Sequence, residues 1–121
     1  MRPDLRPLLG TQVTVLIDRP LGSRHPDGHA IWYPVNYGYI PGTVSGDGEP
    51  VDAYVLGVFE PVAEVSGVVA GLILRRNDAE DKVVVAPAGR HFTAEQIRAL
   101  VDFQERFFDV EIITSSAREN T

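Results

Sequence analysis

The sequence predicts a mainly β chain with one C-terminal α-helix, an α+β arrangement in which a small closed β-barrel carries the helix packed against it. Three observations point there: short apolar runs separated by turn clusters, a single late segment of helical period, and a length of 121 residues that suits one core. Such a helix must bury its apolar stripe on something, and the natural partner is a strongly curved sheet.

The elements follow in order. Val13, Val15 and Ile17 alternate with other neighbours and predict a strand ending at Asp18-Arg19-Pro20. Leu21–His29 holds Gly22, Pro26 and Gly28 and predicts a loop. Ile31–Ile40 resumes as a strand, with Pro34 marking an edge or a bulge because it cannot donate to a ladder. Gly42–Pro50 is a turn cluster and Ala53–Val58 a short strand. Gly67–Leu74 is nearly uninterrupted in apolar residues, as in a strand buried on both faces. Asn77–Asp81 reads as a charged turn and Val83–Ala86 as the closing strand.

The helix begins at a capping box, Thr93 with Gln96 three residues on. Ile97, Leu100, Val101, Phe103, Phe107 and Phe108 form its apolar stripe, with Arg98, Asp102, Glu105 and Arg106 off it. The whole chain, 1–121, is expected to be one domain, with residues 1–10 and 115–121 peripheral or frayed.

Composition narrows the function. A net charge of −6 and a pI near 4.9 argue against a nucleic-acid surface, which needs a basic stripe. The absence of cysteine removes disulfides and thiolate metal sites. No window approaches the roughly 20 apolar residues of a membrane span, so no membrane partner is expected and a cytoplasmic location is the default.

The stretch Tyr33–Asp52 concentrates the chemistry. Its acidic end, Asp47-Gly48-Glu49-Pro50-Val51-Asp52, sets carboxylates around a glycine and a proline that can converge them. Oxygen ligands so placed suit a hard cation such as Mg²⁺, which keeps several waters and shares the oxygens of a bound phosphate. A solvated acidic turn is the alternative reading. His25 and His29 are four apart, but Pro26-Asp27-Gly28 lies between them, so a helical histidine metal pair is not expected.

The string Tyr33-Pro34-Val35-Asn36-Tyr37-Gly38-Tyr39-Ile40, followed by Asp47, Glu49 and Asp52, resembles the signature of the soluble family I inorganic pyrophosphatases. Glu80-Asp81-Lys82 before Val83-Val84-Val85-Ala86-Pro87 is similar to a second motif of that family, and Phe92–Glu111 to its C-terminal helix. The resemblance implies an OB-like barrel and Mg²⁺-dependent hydrolysis of pyrophosphate by metal-activated water, with two or more ions and a homo-oligomeric assembly. Asp47 and Asp52 are implied as metal ligands, joined by Glu80 and, across a shortened loop, Asp78. Glu49 stands where the family has an Asp that orients the attacking water, with an arm one methylene longer. Lys82 and Tyr37 would bind a phosphate oxygen. Asp81 is expected to be solvated, and a plain charged turn remains open for Asp78–Asp81.

The departures are equally specific. Phe107-Phe108 replaces the Tyr-Lys that grips the leaving phosphate, and the family's early ligand Glu falls near Leu16. Arg19, Arg24 and His25 are the local substitutes for the usual cations, with Arg24 and His25 as a candidate phosphate clamp. The resemblance implies a phosphoanhydride as the small-molecule substrate. Two alternatives remain: an anhydride with a larger leaving group, or a non-catalytic metal- or phosphate-binding module that keeps the fold.

Overall fold

The computed structural model describes residues 2–27 and 30–114. After a single 3-10 turn at Arg6–Leu8 come β1 (Gln12–Arg19), β2 (Asn36–Ile40), β3 (Val51–Val55), β4 (Glu64–Arg75), β5 (Lys82–Ala86), α1 (Ala94–Glu105) and β6 (Val110–Thr114). The strands run β1-β2-β3-β5-β4, and β1 also pairs with β4, so five strands close on themselves. All pairings are antiparallel except β3 with β5. β4 makes closure possible through its length: it pairs with β1 from Glu64 to Val68 and with β5 from Val68 to Ile73, leaving Gly71 to Arg75 to carry β6 as well.

Alternate residues on these strands feed two apolar layers. Val15, Ile40, Val51, Ala53, Val55, Val69, Leu72, Val83 and Val85 come from all five barrel strands and fill the lumen. Leu5 and Leu9, flanking the 3-10 turn, join the same cluster, which gives the segment before β1 a packing role. Tyr37, Tyr54, Ile73 and Val84 point the other way and form the layer that α1 covers with Ile97 and Val101. At Gly38 the β1 backbone lies so close that a Cβ would stand 1.9 Å from the Leu16 carbonyl oxygen, so only glycine lets β1 and β2 meet there.

The mainly β barrel with one helix is the architecture expected from the sequence, and the differences lie at the edges. β2 starts at Asn36, after Pro34, because the proline ends the ladder there. The capping box forms as predicted: Thr93 Oγ1 accepts from Gln96 N at 3.1 Å, and Gln96 Oε1 from Thr93 N at 2.8 Å. α1 stops at Glu105, however, so Phe107 and Phe108 lie beyond it and Phe107 is 63% exposed. Val110–Thr114, whose first two residues fall in the helical segment expected from the sequence, is a strand on the edge of β4. The predicted polar tail, 115–121, lies outside the described residues. Among the described residues no helix is long and apolar enough to cross a membrane.

Candidate active site

Strand parity builds the site. Asp52 alternates with lumen-facing Val51 and Ala53, and Lys82 precedes lumen-facing Val83, so both project onto the outer face that carries Tyr37. The β3–β5 and β2–β3 registers bring these neighbouring strands together there. The Tyr37 hydroxyl donates to Asp52 Oδ2 at 2.9 Å, and Lys82 Nζ donates to the same oxygen at 2.8 Å and to Glu80 Oε1 at 2.7 Å. Gly46 brings the two loops into contact: a Cβ on it would stand 1.8 Å from the Ala79 carbonyl oxygen, so the loop before Asp52 abuts the turn before Glu80.

The two carboxyls titrate apart. Burial pushes against ionised Asp52, but hydrogen bonds from Glu80, Lys82 and Tyr37 and the Lys82 charge outweigh it and hold its pKa below the ordinary value. Burial and the shared hydrogen bond with Asp52 lift Glu80 to about 7, against the pull of Lys82. Near neutrality Glu80 therefore exchanges its proton, with Asp52 the more acidic partner. Burial, together with the Asp52 charge, pushes the Tyr37 phenol well above its usual range, so it remains a donor.

These groups line a cavity of about 460 Å³ between the barrel face and the end of α1. Arg19, Arg75 and Lys82 face Asp52 and Glu80 across it, giving an excess of cationic side chains in a chain of net charge −6. Ile31, Phe107 and Phe108 form its apolar lip, and His25 and Gln104 also line it.

The other expected site residues fall elsewhere. Asp47 is exposed and committed to its own turn, accepting from the Ser45 hydroxyl and from Glu49 N at 2.9 Å, bonds that lower its pKa. Glu49 is exposed and is not among the cavity-lining residues. Asp78 accepts from Arg75 Nη1 at 2.9 Å. Asp81, expected to be solvated, is buried and accepts from Arg75 N at 2.9 Å, because the short turn folds its carboxylate back over the backbone. The Arg24 guanidinium lies 5.9 Å over the Trp32 ring and does not line the cavity, whereas His25 does. Arg19 reaches the cavity directly and donates to the Tyr33 hydroxyl at 2.6 Å. His29 lies outside the described residues. Asn36, on the opposite parity from Tyr37, ties down backbone: Oδ1 accepts from Leu21 N at 2.9 Å and Nδ2 donates to Glu60 O at 2.9 Å.

Three contributors escape a linear reading. Glu105, assigned to the solvent face of the helix, is 3% exposed and accepts from Arg75 Nε at 3.0 Å, Arg75 Nη2 at 2.6 Å and the Tyr54 hydroxyl at 2.6 Å. Gln104 joins the same buried network, accepting from the Tyr33 hydroxyl and donating to the Tyr54 hydroxyl, each at 2.7 Å. Asp18 sits at a register shift between Ile17 and Arg19, where a bulge re-aims a side chain. It is exposed, yet desolvation by neighbouring atoms and the Asp52 charge raise its carboxyl pKa. Its signal in the sequence was an acid interrupting the strand pattern just before Pro20.

The donor set accommodates a divalent cation of a particular kind. Among the described residues no three acids or histidines gather closely enough to hold a metal ion. The two carboxyls that do meet, Asp52 and Glu80, suit Mg²⁺ that keeps water and takes further oxygens from a bound phosphate, and a cation there would compete with the proton that Glu80 binds with a pKa of about 7. The four-acid set of Asp47, Asp52, Asp78 and Glu80 is not assembled here, because Asp47 and Asp78 are engaged by their own neighbours.

The barrel thus presents two carboxyls, a phenol and an ammonium to a cavity lined also by Arg19 and Arg75. Residues 23–112, about three quarters of the chain, match the inorganic pyrophosphatase family, and the chain belongs to that family, in its soluble family I branch. An inorganic pyrophosphatase of Rhodospirillum rubrum is 43% identical over 54 residues, covering 42% of this chain and 30% of that protein. One from Gluconobacter oxydans is 29% identical over 124 residues, covering 84% and 70% respectively. The matched part thus spans from under a third to about two thirds of the length of these relatives. The inorganic pyrophosphatase structure from Ehrlichia chaffeensis shares the fold with a TM-score of 0.70 at 20% identity, over 93% of this chain and 91% of that one.

Proposed function

We propose that this chain hydrolyses inorganic pyrophosphate to phosphate with a divalent cation, Mg²⁺ by preference. The observation that carries the reading is the meeting of Tyr37, Asp52, Glu80 and Lys82 in one cation-lined cavity on the barrel's outer face. Family membership singles out pyrophosphate among the phosphoanhydrides.

Asp52 and Glu80 would hold the cation. When bound, the cation supplies polarisation of a phosphoryl oxygen and a more acidic water. Lys82 and the Tyr37 hydroxyl, both donors, turn from Asp52 to phosphoryl oxygens and stabilise charge developing there. Asp52 is the more acidic partner of the pair, and Glu80 would release its proton to solvent more readily with a cation held there. Arg19, braced on the Tyr33 hydroxyl, adds a fixed cation where the predicted clamp was placed on Arg24.

Phosphate release from pyrophosphate in the presence of Mg²⁺ tests the reading, with Asp52→Asn as control. Release should fall by a factor on the order of 10² or more in the variant. Release that survives undiminished in Asp52→Asn would remove Asp52 from the reaction, and no release from the native protein would reject the reading itself.

A further inference from the structure

The helix end brings Phe107-Phe108 to the site and no cation of its own. Phe108 nevertheless carries one. The Arg75 guanidinium carbon lies over its ring, 3.6 Å from the centroid, close enough for a strong cation–π contact. The guanidinium is held on two further sides, by Glu105 through Nε and Nη2 at 3.0 and 2.6 Å and by Asp78 through Nη1 at 2.9 Å. Glu105 in turn is fixed by the Tyr54 hydroxyl at 2.6 Å.

So fastened, the Arg75 side chain is 5% exposed and still lines the cavity. The contacts above leave one N–H on each terminal nitrogen without a partner among the described residues. Its position along the sheet suits a two-headed ligand. Ile73 faces Lys82 across β4 and β5, and Arg75 lies two residues further along β4 on the same face. Such diagonal neighbours stand about 7–8 Å apart at their roots. Lys82 and Arg75 therefore present two cations, a short step apart, to one cavity.

We propose that Arg75 binds the second phosphoryl group of a diphosphate whose first lies at Lys82 and Tyr37, with Phe108 and Glu105 as its positioning residues. The N–H groups left on the two terminal nitrogens can donate to phosphoryl oxygens, and burial fixes the guanidinium before the ligand arrives. The helix end thus contributes to anion binding through an aromatic ring that supports another strand's arginine. This assignment rests on the pyrophosphatase reading.

Calorimetric titration with imidodiphosphate and Mg²⁺ separates the two claims, using native protein, Arg75→Lys, Phe108→Leu and, as control, Arg76→Met. Lysine keeps a charge opposite Glu105 but loses the several N–H donors of the guanidinium and its contact with the Phe108 ring, so Arg75→Lys should bind about 10- to 100-fold more weakly. Phe108→Leu keeps both ion pairs and removes the support, for a loss of about 2- to 5-fold. Arg76, paired on the surface with Asp109 at 2.9 Å, should titrate as the native protein when replaced. Native affinity in both Arg75→Lys and Phe108→Leu overturns the assignment and leaves the pyrophosphatase reading standing. Native protein that neither binds imidodiphosphate nor releases phosphate from pyrophosphate overturns both.

Discussion

The same strands present two unlike faces. Toward the lumen, Val51, Ala53, Val55, Val83 and Val85 are fully buried and wholly apolar. On the alternate positions, under α1, Tyr37 and Tyr54, joined by Tyr33 from the segment before β2, are just as buried, but each carries a hydroxyl tied to a charged or amide group. The lumen asks only for volume and shape, whereas the outer face must satisfy every polar atom it hides. Its network runs from Arg19 through Tyr33, Gln104, Tyr54 and Glu105 to Arg75, and its two end cations line the cavity. Stability and ligand recognition therefore share residues on one face and are separate on the other.

Glu105→Gln should expose the difference most strongly. Taking the charge from one side of a buried ion pair costs on the order of 3–5 kcal/mol, and the loosened Arg75 should also weaken imidodiphosphate binding; urea unfolding and calorimetry read the two effects. Leu72→Ala, in the lumen, should cost about 2–4 kcal/mol through the cavity it leaves. The protein that stays folded should keep native affinity for imidodiphosphate, and a drop in affinity would show that the two faces are coupled.

The smallest effect is one of pH. Glu80 holds its proton more tightly when folded than when unfolded, since its pKa is raised to about 7. The folded state binds the extra proton between the unfolded value and about 7, so this contribution is fully present below the unfolded pKa and is lost as pH rises through 7. Melts across that window should show stability falling by roughly 1–3 kcal/mol, and Glu80→Gln should flatten the slope. An unchanged slope in Glu80→Gln would place the proton elsewhere.

How far the sequence could be read follows from the range of each interaction. Strand parity placed Tyr37, the three-residue spacing gave the Thr93–Gln96 cap, and the motif spacing singled out Asp52, Glu80 and Lys82, because all of these depend on near neighbours along the chain. β6 escaped although Val110-Glu111-Ile112-Ile113-Thr114 has strand composition, since the helical stripe appeared to run on through Phe107 and Phe108. Glu105 read as a surface acid because its partner Arg75 lies 30 residues earlier, and no local pattern marks that pairing. Asp47 was expected to turn inward, but the Ser45 hydroxyl and Glu49 N–H hold it in its own loop. What sets that competition is the local tendency of Asp to bond the backbone two residues on.

Barrel closure by the first strand also orders events in time. β2 and β3 form a local hairpin that already unites Tyr37 with Asp52, but β1 must wait for β4, with Gln12 meeting Val68 across 56 positions. Contacts of such separation carry the largest loop-closure cost and form slowly. Glu80, Lys82 and Arg75 flank the local β4–β5 turn, so each half of the constellation belongs to its own hairpin, and the halves meet only through the non-local β3–β5 pairing of Ala53 with Val83. In refolding from denaturant, recovery of diphosphate binding should therefore trail the return of strand signal, making ligand capture a clock for the final stage of folding.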